Sequence, residues 1–316
     1  MEDGTRSLCC DKICGGKCGA PLGCSSRPGG ATGCCGSQIH RACSASIGAP
    51  CRLAPDPPPV GHDASANKTW LLFQEDVIVA VGDALQPTKG GLVTSVEQAK
   101  LHGQVFIGGA GGLEKGQLLQ PGSYRQLDLG NSSWWVSHNG VGYLLPRTAG
   151  AVAHVGAVNK TGSWSLLGVG SDTAVTMEVF DLFIEHRSRY LYLTLPTGGT
   201  PADMPEALAS NAGGHALGLG IGYHAATDPS GTVLLAAVWG GGETTLTLGN
   251  WSVRTSRACA LALRRWPYAS VTASASVPGS SGGALALTMG GRTKTFALPA
   301  GDFAGSSVSA VMCQDC

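Results

Sequence analysis

Short apolar runs, each stopped within a few positions by a polar or glycine residue, constrain the fold of this chain more than any other feature. Trp70-Leu71-Leu72-Phe73 and Val77-Ile78-Val79-Ala80-Val81 are rich in β-branched and large apolar side chains and read as strands. Leu191, Leu193 and Leu195 alternate with Tyr190, Tyr192 and Thr194. Leu246 and Leu248 alternate with Thr245 and Thr247, and Leu285, Leu287 and Met289 with Ala284, Ala286 and Thr288. A period of two gives each strand one buried and one more polar face. In the run ending at Ile184, Val175, Met177 and Val179 share one parity while Phe180, Leu182 and Ile184 take the other, which predicts a β-bulge within that strand. Glycine, at 48 residues, and proline, at 17, supply the turns. The fold class is all-β.

Composition narrows the partners. Hydrophobic residues reach 43%, enough for a core, whereas charged residues make up only 13%, about half the usual share. The formal charge is +0 with no basic block, which argues against nucleic acid. No apolar run approaches the roughly 20 residues of a membrane span. Nine of the twelve cysteines crowd the start: Cys9, Cys10, Cys14, Cys18, Cys24, Cys34, Cys35, Cys43 and Cys51. Such density among glycine and serine predicts a disulfide-stapled module from an oxidising compartment. Zinc is the competing reading, weakened by irregular spacing and a single neighbouring histidine, His40. Sequons at Asn67, Asn131, Asn159 and Asn250 also point to export and glycosylation. With no apolar leader at the start, an exported chain implies an incomplete N-terminus.

The expected organisation is a disulfide-rich module over 1–53, a proline-rich linker over 54–66, a large antiparallel β-sandwich over 67–200 and a smaller β-sandwich domain over 215–316. A loop or short helical turn fills 201–214. Cys259 shares parity with Leu261 and Leu263 and reads as a buried thiol.

Five segments in order carry a family resemblance. They are Lys68–Phe73 followed by Asp76–Gly82, then Val93–Gln98, then Trp134-Trp135-Val136-Ser137-His138-Asn139-Gly140-Val141-Gly142-Tyr143, then Gly162-Ser163-Trp164. Last come Phe183-Ile184-Glu185-His186, Tyr190-Leu191-Tyr192 and Pro196. Over residues 67–196 the chain resembles the β-domain of polysaccharide lyase family 8, the hyaluronate and chondroitin lyases. The resemblance implies a protein of extracellular carbohydrate metabolism whose partner is a uronic-acid-containing or cell-wall polysaccharide. Such lyases cleave by β-elimination: a base takes the proton α to the carboxylate, and an acid protonates the leaving oxygen. The family's asparagine, histidine, tyrosine and arginine for this step lie mainly on a helical toroid, and no segment here matches those motifs. The chain is therefore expected to be a fragment or a catalytically incomplete relative, with no catalytic residue assigned. The alternatives are a non-enzymatic adhesion module of cell wall or matrix, or an autonomous lyase with a new site.

Trp134, Trp135, His138, Asn139 and Tyr143 are the candidates for sugar contact, because indole and phenol planes stack on pyranose faces while amide and imidazole groups meet hydroxyls. The opposing reading places one or both tryptophans in the core. His186, Arg187, Arg189, Tyr190 and Tyr192 have the residue types that elimination needs, but strand alternation forbids all five from meeting one sugar. No HxH or HExxH spacing calls for a metal, and no cofactor is implied.

Overall fold

The computed structural model describes residues 34–40, 65–73, 77–83, 92–109, 113–166, 170–186, 188–196, 199–212, 217–267 and 270–313. The chain first forms β1 (Cys34–His40), β2 (Ser65–Phe73), β3 (Val77–Asp83), β4 (Leu92–Lys100), β5 (Val105–Gly109) and β6 (Leu113–Leu118). There follow β7 (Ser123–Asp128), β8 (Trp134–His138), β9 (Val141–Leu145), β10 (Val152–Gly162), β11 (Val175–His186) and β12 (Tyr190–Leu195). Helix α1 (Met204–Ala212) precedes β13 (Leu217–Gly220), β14 (Tyr223–Thr227), β15 (Val233–Val238), β16 (Thr244–Leu248) and β17 (Trp251–Thr255). The last strands are β18 (Cys259–Trp266), β19 (Ser270–Ser276), β20 (Ala284–Met289), β21 (Arg292–Ala297) and β22 (Val308–Cys313).

These strands build four antiparallel sheets. An eight-stranded sheet runs β1-β2-β3-β12-β9-β8-β5-β6, and a four-stranded sheet runs β4-β11-β10-β7. Phe180, Leu182, Ile184, Val155, Ile107, Val136 and Leu145 close the core between them. A six-stranded sheet (β13-β14-β15-β18-β19-β22) and a second four-stranded sheet (β16-β17-β20-β21) enclose another core around Leu234, Leu261, Leu263, Trp251, Leu285 and Leu287. The two sandwiches are themselves packed together. Leu71, Val79, Leu144 and Leu193, on the far face of the eight-stranded sheet, join Met204 of α1 and Ala226 and Leu235 of the six-stranded sheet in a third core. The result is four β-layers.

Layering explains the sequence texture. Central strands buried on both faces read as continuous apolar runs, such as Val77–Ala80 in β3 and Leu234–Val238 in β15. Outer strands keep strict alternation, as β16 and β17 do. For β12 the expected polar face is a second buried face: Tyr190 and Tyr192 project into the first sandwich while Leu193 and Leu195 meet the second. Cys259 is buried in the second core, where loss of solvent pushes its thiol up to about 12.

Three expectations change. The bulge is not in β11, whose ladder with β10 is unbroken from Val175 to Glu185. It lies in β4, where Ser95 faces Phe183 and Glu97 faces Leu182, leaving Val96 as the extra residue. The two parities of β11 are simply its two faces: Val175 and Met177 are exposed on one, and Phe180, Leu182 and Ile184 fill the core on the other. Residues 204–212 form a full helix, its first turn anchored by Met204 N–H donating to the Thr200 carbonyl at 3.2 Å. Finally, β1 pairs with β2 from Cys34 opposite Leu71 to His40 opposite Ser65. A strand of the large sheet thus falls within the segment expected to be a separate cysteine-rich module. Of that module's cysteines, Cys9, Cys10, Cys14, Cys18, Cys24, Cys43 and Cys51 lie outside the described residues, as does most of the expected linker.

Candidate functional site

Where the first four-stranded sheet ends, at its edge strand β4, the larger sheet continues beneath it through β2 and β1. Polar and aromatic side chains collect at that step. The bulge at Val96 turns Glu97 inward, and its Oε2 accepts from the Tyr143 hydroxyl at 3.4 Å. Tyr190 and Tyr192 stack with centroids 6.1 Å apart, and the Trp70 indole hydrogen-bonds Tyr192. His186 Nε2 lies 2.8 Å from Thr94 Oγ1, and its ring lies 5.1 Å from that of Tyr190. Lys68 Nζ sits 5.7 Å from the Tyr190 ring centroid.

Burial decides what these groups can do. Tyr143, Tyr190, Tyr192 and His186 are buried, whereas Lys68, Trp70 and Glu97 are half-buried at the step. Desolvation, aided by neighbouring charge or tyrosine, pushes the phenols of Tyr143, Tyr190 and Tyr192 upward. They stay protonated at neutral pH and act as hydrogen-bonding groups rather than bases. Burial first, then the Lys68 charge, lowers His186 to about 4, so the imidazole is neutral at neutral pH, and it is 4% exposed. Lys68 is itself lowered by burial. An ammonium, an indole and a carboxylate thus meet at this step. Among the described residues the histidine of this group, His186, is buried, and no group of three His, Cys, Asp or Glu side chains is set to hold a metal.

Sequence reasoning placed five residues in the sugar-contact group, and the structure separates them. Trp135 is 1% exposed and fills the third core, its ring against Gly108, where an added Cβ would come within 2.2 Å of it. Tyr143 is the interior phenol described above. His138 is buried, stacks on Phe180 at 4.3 Å and accepts the His102 N–H on Nε2 at 3.2 Å. Burial also lowers its pKa. Asn139 and Gly140, at φ 50° and 79°, are the central pair of the β8–β9 hairpin turn. Trp134 is half-buried and donates its indole N–H to the Asp128 carbonyl at 3.1 Å. Only Trp134 and Asn139 of the five keep a solvent-facing surface. Of the elimination-type group, His186, Tyr190 and Tyr192 do converge, all three inward, while Arg189 is exposed on the turn. Arg187 lies outside the described residues. Glu97 is hidden from the sequence because the Val96 bulge reverses the face on which it emerges, and Lys68 and Trp70 because their partners Tyr190 and Tyr192 lie far along the chain on β12.

Residues 32–205 match the sequence model of the super-sandwich domain of polysaccharide lyase family 8. The chain belongs to this family. Among solved structures, a chondroitinase AC lyase studied in oligosaccharide complexes aligns over 78% of this chain at 20% identity, with a TM-score of 0.62. A Paenibacillus xanthan lyase aligns over 72% at 20% identity and TM-score 0.56. The Streptomyces coelicolor A3 chondroitin AC lyase in complex with chondroitin sulphate aligns over 71% at 21% identity and TM-score 0.50. At these identities the likeness establishes the shared fold. The aligned part spans 36%, 22% and 27% of those lyases' own lengths. Among curated proteins none matches the chain in sequence.

Proposed function

We propose that this family 8 chain is a polysaccharide-contacting β-region of an extracellular protein, and that the described residues bind glycan without performing elimination. The observation that carries this reading is the step at β4: Lys68, Trp70 and Glu97 keep part of their surface in solvent there, while Tyr143, Tyr190, Tyr192 and His186 behind them are buried. Lys68 suits the carboxylate of a uronic acid, and Trp70 suits an apolar pyranose face. Trp134 and Asn139 are secondary contact candidates. The relatives named above act on chondroitin and xanthan, which supports a uronate-bearing glycan as ligand.

Export and glycosylation belong to the same proposal. Asn131, Asn159 and Asn250 are exposed, the Asn131 amide donating to Asp128 Oδ2. Asn67 is the poorest acceptor, because its amide donates to Asp83 Oδ1 at 3.2 Å from a strand paired on both sides. No helix of the described residues is long and apolar enough to cross a membrane.

The test is calorimetric titration of the full chain with a chondroitin hexasaccharide, beside Lys68→Ala and Trp70→Ala. Binding that either variant weakens supports the reading. Wild-type binding that both leave unchanged removes the step as the contact site, and no binding at all favours an adhesion role instead.

A further inference from the structure

The outer face of the first four-stranded sheet carries a group of side chains that the sandwich core does not require. Strand pairing sets them in rows. Gln98 on β4, Asp181 on β11, Gly156 on β10 and Tyr124 on β7 form one row, and Ser95, Phe183, His154 and Gln126 the next. They alternate with the buried Phe180, Leu182, Ala153 and Val155, so they project away from the core.

Gly156 is the device that shapes this face. A Cβ built there would lie 2.4 Å from Tyr124 Cε1. The phenol ring therefore lies down across the β10 backbone, and its hydroxyl donates to Asp181 Oδ2 on the strand beyond at 2.7 Å. Lys160 Nζ donates to the same oxygen at 2.7 Å, and Gln98 Nε2 donates to Oδ1 at 3.3 Å. Asp181 is only 4% exposed although it stands on an outer face, whereas Tyr124 is 48% exposed. Partial burial and the Asp181 carboxylate push the phenol up to about 12, so the hydroxyl remains a donor. Beside it, Phe183 and His154 stack at 4.6 Å, with Phe183 edge-on to Tyr124 at 6.4 Å. A flat ring pinned by a shielded carboxylate is preorganised to receive another flat surface.

We propose that this face is a second glycan-binding surface, with Tyr124 stacking on the apolar face of a pyranose and the remaining N–H groups of Lys160 and Gln98 meeting its hydroxyls. The charge of the face selects the sugar. Its lysines, Lys100 and Lys160, are outnumbered by Asp128, Asp181 and Glu185. A neutral pyranose segment therefore fits better than a polyuronate. The proposal rests on the reading that this chain meets polysaccharide, and assigns a second surface and a second sugar class to it.

The experiment titrates the full chain with cellohexaose as the neutral probe and with the chondroitin hexasaccharide as the anionic one. Tyr124→Ala is expected to weaken cellohexaose binding about tenfold or more, and Tyr124→Phe to stay within about threefold of wild type. Gly156→Val, which lifts the ring without altering it, should match Tyr124→Ala. Gln98→Ala, at an exposed position where folding is least at stake, should weaken cellohexaose binding about threefold. Chondroitin binding should be unmoved in Tyr124→Ala. Cellohexaose binding that is absent in wild type, or unchanged in both Tyr124→Ala and Gln98→Ala, overturns the second surface while leaving the chondroitin result to stand. If neither probe binds wild type, the broader reading falls with it.

Discussion

The two sandwiches share a construction and differ in what they bury. The second encloses an apolar core in which Cys259 is the one titratable side chain among its buried described residues, with Tyr223 packed half-buried against it. The first encloses Tyr143, Tyr190 and Tyr192 beside Glu97, His138 and His186. Buried polar groups must be satisfied by partners, so such a core is specified by geometry as well as volume. The difference teaches where function belongs. On the proposed reading the apolar sandwich braces, and the polar one holds the surfaces that meet a sugar.

The brace is keyed to the polar sandwich by a buried cluster. His224 of β14 is fully buried, with Nδ1 2.9 Å from Thr69 Oγ1 and Nε2 at an ion-pair distance of 3.2 Å from Asp83 Oδ2. The Trp239 ring stands edge-on to His224 at 4.5 Å.

The contrast breaks most forcefully at the packing between the sandwiches. Trp135→Ala should destabilise the chain by about 3–5 kcal/mol in denaturant unfolding. A loss below about 1 kcal/mol would show that the third core contributes little. Asp83→Ala leaves His224 and the Asn67 amide without their partner and should cost about 1–3 kcal/mol. Scanning calorimetry should then show the two sandwiches melting less cooperatively. A single unchanged transition would mean that the cluster does not couple them.

Acid should separate the cores more gently. His186 is lowered to about 4 in the folded chain, while the unfolded value is near 6.5. The unfolded state thus binds the proton first, and stability falls as pH drops from about 6.5 toward 4. Above that window this group contributes no pH dependence. His186→Leu should flatten the acid limb, and an unchanged limb would place the sensitivity elsewhere. The smallest effect is expected at the hairpin. Asn139→Ala at φ 50° should cost about 1 kcal/mol, and Asn139→Gly almost nothing.

Much of the fold was legible because alternation survives in outer strands such as β16 and β20, and unbroken apolar runs mark central ones such as β3. The site was less so, for physical reasons. A single bulged residue, Val96, reverses the face of Glu97, and no local pattern in the sequence announces it. The Tyr190–Tyr192 face read as polar because a sequence does not show that another sheet lies over it. Trp135 and His138 carried the right chemistry for sugar contact, but their partners, Gly108 and Phe180, are distant in sequence. Tyr124 and Asp181 escaped notice because Gly156, which joins them, looks like any other glycine.

The central claim is that this β-region binds polysaccharide without cleaving it. The most direct measurement incubates the purified full chain with chondroitin, hyaluronan and alginate, following ultraviolet absorbance of the unsaturated uronate product while recording binding in parallel. The account predicts saturable binding to at least one of these polymers and no product above a no-protein control. Product that accumulates in proportion to the protein added would contradict it.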